Sequence, residues 1–342
     1  MAASTTDGFT PLRIARVVRE TSDAVSLVLD VPAECSHRYR YEAGQFLTLR
    51  VRIDGHDLRR CYSMSSAPVD GELRITVKRD PGGVVSNWLN DSARAGDELH
   101  AAPPEGRFVL RGDLSGATEV VAFAGGSGIT PIMSLARAAL ADPGRRVRLF
   151  YANRSRESVI FADPLAELAA RHADRLVLEH HYDAEVGVVT PEAIESFIAP
   201  AGDAHYYVCG PTPFMDAVER TLLAAGVKES RVHLERFTVA TAADDADAVS
   251  AATEEVVIDL DRRTTRAEYR VGDTLLQTAR MAGLRAPASC ETGSCGTCMA
   301  RVVEGTARML NNDALDDDEV AEGWVLTCQT LPTSRAVHVV YE

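Results

Sequence analysis

The stretch Ser289-Cys290-Glu291-Thr292-Gly293-Ser294-Cys295-Gly296-Thr297-Cys298, followed thirty residues later by Cys328, decides how the C-terminal third of this chain folds. Three cysteines at Cys-x4-Cys-x2-Cys spacing with a distant fourth match the ligand pattern of a plant-type 2Fe-2S cluster. One loop supplies three thiolates and a remote segment closes the site, so Cys290, Cys295, Cys298 and Cys328 are the expected metal ligands. Gly293, Ser294, Gly296 and Thr297 are small, which lets the loop curl and aim backbone N–H groups at the sulfurs, stabilising the reduced, more negative cluster. Such clusters work near roughly −400 mV, and one-electron chemistry is expected. A zinc knot is the competing reading, although zinc sites usually come as two short cysteine pairs rather than three plus one.

At 342 residues the chain exceeds one common core, and two or three domains are expected. An apolar share of 46% with 25% charged residues is that of a soluble globular protein. Residues 1–10 have neither a basic nor an apolar region of a signal peptide, and no run approaches the ~18 apolar residues of a membrane span. A cytoplasmic location without membrane attachment is expected. Seven cysteines, four of them in cluster spacing, argue for a reducing compartment over a disulfide framework, leaving Cys35, Cys61 and Cys209 as thiols outside the cluster.

The net charge of −14 is uneven. Residues 253–342 hold 15 acidic and 9 basic side chains, whereas residues 1–238 hold 32 and 27. The denser negative field at the C-terminal end disfavours nucleic acid and anionic membrane, and suits docking to a basic protein patch. The run Asp316-Asp317-Asp318-Glu319 can equally be a solvated helix start, where carboxylates are favourable.

Residues 239–252 (VATAADDADAVSAA) are small and acidic, without aromatics or apolar periodicity, and read as a tether. Ahead of it, residues 12–110 show short alternating runs such as Phe46-Leu47-Thr48-Leu49-Arg50-Val51 and Leu73-Arg74-Ile75-Thr76-Val77-Lys78, parted by Gly and Asp turns, as in a small antiparallel barrel. From Glu119 the pattern becomes strand then helix: strands at 120–124, 146–151, 175–180 and 204–209, helices near 131–141 and 213–225. That alternation implies a parallel α/β sheet.

The first of these strands ends in Gly125-Gly126-Ser127-Gly128-Ile129-Thr130-Pro131. Glycines there let a pyrophosphate approach the backbone, and Pro131 can take the first helical position, turning the helix N-terminus to the anion. A tight turn is the alternative, since Pro131 stands where a dinucleotide fingerprint has its last glycine. The second strand leads to Asn153-Arg154-Ser155-Arg156; an arginine at the ribose position can accommodate a 2′-phosphate, an indication toward NADPH that leaves NADH open. In the barrel half, Arg60-Cys61-Tyr62-Ser63 puts Arg60 and Tyr62 on one strand face, a cation for phosphate beside a ring for stacking. Gly82-Gly83-Val84-Val85-Ser86 precedes a helix-like Asn87-Trp88-Leu89, whose start suits a pyrophosphate and hence FAD over FMN. Ordinary strand and turn chemistry is the alternative for both segments. Lys78 and Thr130 join the expected cofactor-binding set.

Together these residues resemble the ferredoxin-NADP reductase superfamily along almost the whole chain. The resemblance implies Tyr62 stacked on the isoalloxazine, Ser63 near its N5 and Arg60 on the flavin phosphate, with Gly82, Gly83 and Ser86 as the FAD pyrophosphate loop. It implies Gly125, Gly126 and Gly128 as the nicotinamide dinucleotide loop, and Cys209-Gly210-Pro211 beside the nicotinamide. Glu235-Arg236-Phe237 resembles the end of the reductase part in the subgroup with a C-terminal ferredoxin domain, and Phe237 is expected at the cofactor. That subgroup includes reductase components of 3-ketosteroid 9α-hydroxylase and phenylacetyl-CoA epoxygenase. The implied architecture is an antiparallel β-barrel flavin domain (1–112), an α/β parallel-sheet nucleotide domain (113–238), a linker (239–252) and an α+β, β-grasp-like ferredoxin domain (253–342).

A nicotinamide gives two electrons at once as hydride, a one-electron cluster cannot take them, and a flavin can hold two and release them singly. Tyr62, Ser63 and Cys209 are the residues expected at that hydride transfer. No Ser-His-Asp or metal-water site for an organic substrate is evident, so substrate chemistry is expected in a partner oxygenase, of Rieske or di-iron type. The adjacent His180 and His181 read as structural. A redox-responsive sensor or binding module with the same cofactors is the alternative function.

Overall fold

The computed structural model describes residues 8–110, 119–199, 201, 204–237, 253–291, 293, 295–312 and 314–341. The chain divides into two compact units, Met1–Arg236 and Phe237–Glu342. The expected tether at 239–252 lies outside the described residues, as does Ser294.

In the first unit, strands β1 (Thr10–Thr21), β2 (Ala24–Asp30), β3 (Phe46–Ile53), β4 (His56–Ser63), β5 (Leu73–Lys78) and β6 (Glu98–Ala101) form an antiparallel sheet in the order β4-β3-β6-β1-β2-β5. Beyond the ladder its two edges meet: Met64 bridges Ile75, and the Ser65 N–H donates to the Arg74 carbonyl at 2.8 Å, curling the sheet toward a barrel. The alternation read from sequence is the cause, because Leu47, Leu49 and Val51 of β3 and Leu73, Ile75 and Val77 of β5 all enter one core. Helix α1 (Val84–Ser92) adds Val85 and Leu89 to it. This helix starts three residues earlier than its sequence suggests, so Ser86 lies in its first turn. There the Ser86 hydroxyl accepts from the Asp80 N–H at 3.2 Å and donates to the Gly83 carbonyl at 3.4 Å, a local exchange that makes serine at home in a first turn.

A parallel sheet follows: β7 (Glu119–Gly125), β8 (Arg146–Asn153), β9 (Leu176–Tyr182), β10 (Ala204–Cys209) and β11 (Val232–Glu235), in the order β11-β10-β7-β8-β9. Both faces are buried, which is why its strands read as nearly continuous apolar runs. Val120, Ala122 and Ala124 of β7 pack with α2 (Ile129–Ala141) and α3 (Ala162–Arg171), while Val121 and Phe123 pack with α5 (Pro191–Ile198) and α6 (Thr212–Ala224). A one-turn helix, α4 (Asp183–Val186), leaves the end of β9. Pro131 is third in α2 rather than first, behind a 3-10 turn at Gly126–Gly128. The first four helical N–H groups have no partner inside the helix, so proline is tolerated there as well.

Barrel and sheet pack as one unit. The Ser134 hydroxyl of α2 donates to the Ser66 carbonyl at 2.6 Å and accepts from the Gly44 N–H at 3.2 Å, and the Tyr207 hydroxyl donates to the Val109 carbonyl at 3.3 Å.

The second unit is a mixed sheet in the order β13-β12-β18-β14-β16, built from β12 (Glu255–Leu260), β13 (Arg263–Glu268), β14 (Met299–Glu304), β16 (Trp324–Leu326) and β18 (Ala336–Val340). Only β12 and β18 run parallel. Helix α7 (Leu275–Met281) lays Leu275 and Ala279 on Val256, Ile258, Val337 and Val339, the β-grasp arrangement; β15 (Ala307–Met309) and β17 (Thr330–Pro332) form a separate pair. The acidic run opens α8 (Asp317–Ala321). Asp316 accepts from the Glu319 N–H at 2.8 Å and Glu319 from the Asp316 N–H at 2.9 Å, so two of its four carboxylates cap the helix. Among the described residues no helix is long and apolar enough to cross a membrane.

Candidate functional site

The last turn of β4 puts Arg60 and Tyr62 on one face. Tyr62 is half-buried against the barrel core, and burial holds its phenol neutral, well above the usual tyrosine range, with the Arg60 cation acting against that rise. Arg60 Nη1 donates to the Arg59 carbonyl at 2.7 Å. Ser63, buried at the strand end, donates to Glu235 Oε2 at 3.3 Å. Glu235 ends β11 and is the register partner of Cys209 at the end of β10. The Glu235 carboxylate thus ties Ser63 of the barrel to the end of β11, whose backbone pairs with the strand end at Cys209. In the sequence Glu235 stands out only as part of a motif; its signal is a carboxylate closing an otherwise apolar strand end.

The glycine loop 125–131 packs against the end of β10. A Cβ on Gly128 would stand 2.1 Å from the Cys209 carbonyl oxygen, and one on Gly125 would stand 2.8 Å from Pro211 Cδ. These two glycines are required by backbone packing of the 125–131 loop on Cys209-Gly210-Pro211, a constraint that no single-loop reading anticipates. Gly126 is the open position, with φ +52 and only Lys78 Nζ nearby, 3.9 Å from where a Cβ would be. Lys78 Nζ, which also lies 3.7 Å from Asp23 Oδ2, thus brings a barrel cation beside the glycine loop. Thr130 donates to the Ser127 carbonyl at 3.1 Å and braces the turn. Gly82 takes a positive φ of +77, and Gly83 caps α1 without a side-chain hydrogen bond to its first N–H groups. Arg154 is exposed, and Arg156 is held by Glu185. Phe237 is 44% exposed in the unit that it opens. His180 stacks on Tyr182 at 5.7 Å between ring centres, and His181 bonds the Gly187 carbonyl at 2.8 Å, both structural roles.

In the second unit the four cysteines converge as thiols, with Cys290, Cys298 and Cys328 buried and Cys295 partly open. Hydrogen bonding to Cys290 and Cys298 pushes the Cys328 thiol far above its ordinary range, and hydrogen bonding to Cys290 with burial raises Cys295; the bond to Cys328 lowers Cys298. Thiols this close shed their protons when a metal centre takes their place. Among the described residues no three candidate ligands close on a single ion, whereas a 2Fe-2S unit is wider and takes two thiolates per iron. The Thr297 N–H donates to Cys295 Sγ at 3.4 Å, the backbone-to-sulfur bond expected of this loop. Gln329 Nε2 donates to the Glu291 carbonyl at 2.7 Å, tying the two ligand segments, and Arg280 grips both Glu291 carboxylate oxygens at 2.7 and 3.1 Å. Thr327 binds the Cys298 carbonyl through its hydroxyl at 2.8 Å.

A barrel with a flavin-type strand end, a parallel sheet with a glycine loop, and a four-thiol β-grasp unit define a modular oxidoreductase. Residues 11–110 match an oxidoreductase FAD-binding domain, 123–220 an oxidoreductase NAD-binding domain and 258–333 a 2Fe-2S iron-sulfur cluster binding domain. The chain is 42% identical to the ferredoxin reductase component of 3-ketosteroid-9-alpha-monooxygenase of Mycolicibacterium smegmatis, covering 97% of this chain and 96% of that one. It is 33% identical to one component of the 1,2-phenylacetyl-CoA epoxidase of Escherichia coli, covering 98% of each. Phthalate dioxygenase reductase, whose solved structure is a modular one for electron transfer from pyridine nucleotides to 2Fe-2S, matches with a TM-score of 0.68 at 28% identity over 98% of both chains. This chain therefore belongs to the ferredoxin-NADP reductase superfamily, in the subgroup with a C-terminal 2Fe-2S domain, and is an NAD(P)H-dependent oxidoreductase that uses FAD and a 2Fe-2S cluster.

Proposed function

We propose that this protein is the reductase component of a multicomponent oxygenase and supplies it with single electrons. Bound FAD would supply the conversion between a two-electron hydride and the one-electron chemistry of the cluster. Tyr62 supplies the stacking face, and Arg60 with the N-terminus of α1 beyond Gly82 and Gly83 holds the FAD phosphates. The loop 125–131 and Cys209-Gly210-Pro211 orient the dinucleotide, with Ser63 and Cys209 flanking the hydride path. Phe237, the first residue of the second unit, is read with the cofactor set from the resemblance, and Cys290, Cys295, Cys298 and Cys328 hold the cluster. The domain limits 1–112, 113–238 and 253–342 go with this assignment. The observation that supports it is the Ser63–Glu235 hydrogen bond, which ties the end of the barrel strand β4 to the end of β11, the register neighbour of Cys209.

The partner reading rests on relatives that are components of a 3-ketosteroid monooxygenase, a glycine betaine monooxygenase and a phenylacetyl-CoA epoxidase, at 42, 32 and 33% identity. These relatives match this chain over nearly their whole length although the names of their systems point to different substrates, which fits substrate choice residing in the oxygenase. The test is anaerobic mixing with NADH or NADPH, followed by addition of an oxygenase component encoded beside this chain. Flavin bleaching, then a rhombic cluster signal, then oxygenase turnover are expected in that order; a protein reduced only over minutes, with no turnover of any such component, would point to a redox sensor.

A further inference from the structure

The loop after β8 carries the only cue to nucleotide choice in the sequence, Arg154 and Arg156, and the structure changes its meaning. Arg156 is not an open cation. Its Nε and Nη2 donate to the two oxygens of Glu185 at 2.7 and 2.9 Å, and its guanidinium lies 4.5 Å over the ring of Tyr182. Glu185 comes from α4, at the end of the neighbouring strand β9, and the Ala184 N–H donates to the Arg154 carbonyl at 2.9 Å, fastening the two loops together. Ser158 braces the arginine loop by accepting from the Ser155 N–H at 3.2 Å and donating to its carbonyl at 2.8 Å.

A bidentate Arg–carboxylate pair uses the same fork of donors that a phosphate needs. An incoming 2′-phosphate would find those donors taken and a carboxylate beside them, and Glu157 adds a second negative charge to the loop. Two arginines and two glutamates leave no net positive field for a dianion. A ribose 2′-hydroxyl meets the opposite situation, because each carboxylate oxygen keeps a free lone pair and can accept its proton. The sequence offers no acid at the usual place after the second strand; the fold brings one from the next strand instead.

We propose that Glu185 is a specificity-determining residue that makes this enzyme select NADH by occupying Arg156 and accepting from the ribose hydroxyl. This rests on the reading of 125–131 and 153–158 as the dinucleotide site. The test uses the FAD- and cluster-loaded full chain, titrated with NAD+ and with NADP+ and followed by calorimetry and by the flavin difference spectrum, with adenosine 2′,5′-bisphosphate as a competitor. The wild type should bind NAD+ at least about tenfold more tightly than NADP+, since juxtaposed like charges discriminate strongly. Glu185→Gln should shrink that ratio to about threefold or less through tighter NADP+ binding, and should turn the bisphosphate into a competitor. Arg156→Ala in the Glu185→Gln background should remove the gained NADP+ affinity. A wild type that prefers NADP+, or a Glu185→Gln ratio equal to that of the wild type, overturns the proposal while leaving the dinucleotide site in place. A loaded protein that binds neither dinucleotide overturns the site and the proposal together.

Discussion

Ser63 offers one hydroxyl, and what that hydroxyl does is set by the carboxylate it faces. With Glu235 accepting at 3.3 Å from within the sheet, the serine is held in one orientation at the point where the resemblance puts the flavin N5. Ser63→Ala is expected to slow flavin reduction by roughly tenfold or more, each tenfold being about 1.4 kcal/mol of barrier, with FAD content unchanged. Glu235→Gln, which keeps an acceptor oxygen, should cost less than Glu235→Ala. Stopped-flow bleaching of the flavin at saturating NADH reads all three, and equal losses for the two Glu235 variants would sink the orientation argument. Tyr62 differs from Ser63 in that burial keeps its phenol neutral, which suits the stacking role the resemblance implies for its ring.

Elements show where sequence reading succeeds and where it stops. The alternating barrel strands and the β10 strand ending at Cys209 are local patterns, and each strand lies where its pattern puts it; the cysteine spacing is local in the same way. Glu235 was not legible as a site residue because its meaning comes from a register with β10 and from a hydroxyl 172 positions away in the chain. Glu185 was hidden for the same reason. The glycines divide likewise: Gly128 packs against Cys209 from the far end of the domain, whereas Gly126 answers only to its own backbone angle. Gly128→Ala should therefore displace the loop or Cys209 and cost at least about 3 kcal/mol of stability, as overpacking at a fixed backbone does. Gly126→Ala, with open space and a positive φ, should cost only about 1 kcal/mol. Thermal melts of the two variants side by side decide this, and a Gly128→Ala protein as stable as Gly126→Ala would refute the packing account. In the cluster unit the tie is Gln329, only 4% exposed, whose amide joins the segment after Cys328 to the carbonyl following Cys290. Gln329→Leu removes that bond but keeps the volume. About 1 kcal/mol lost should speed air-driven cluster loss about fivefold, seen as fading of the visible absorbance.

At the scale of the whole molecule, the chain separates two chemistries that need opposite surroundings. Hydride transfer wants a closed centre, and Met1–Arg236, in which the proposed centre lies, is one compact unit. Single-electron delivery wants a carrier that can face a partner, and the cluster unit is a separate body with its own apolar core. That division predicts a clean split of activities. Cys298→Ser should leave NADH-to-flavin transfer and ferricyanide reduction near the wild-type rate, because Ser63, Glu235 and Cys209 lie in the other unit, while turnover with a one-electron protein acceptor collapses. The charge distribution sets a further condition on the second step alone. Residues 253–342 hold 15 acidic against 9 basic side chains, and two of the acidic ones, Asp317 and Asp318, stand in the exposed first turn of α8. Exposed charges more than about 10 Å apart are largely screened at about 0.1 M ionic strength, so coupling to a basic acceptor should weaken steadily as salt rises. Ferricyanide reduction, which does not depend on such docking, supplies the control at each salt concentration. A Cys298→Ser protein that still drives its oxygenase at the wild-type rate would show that electrons leave from the flavin, and a salt-independent rate in the wild type would show that the acidic unit docks by other means.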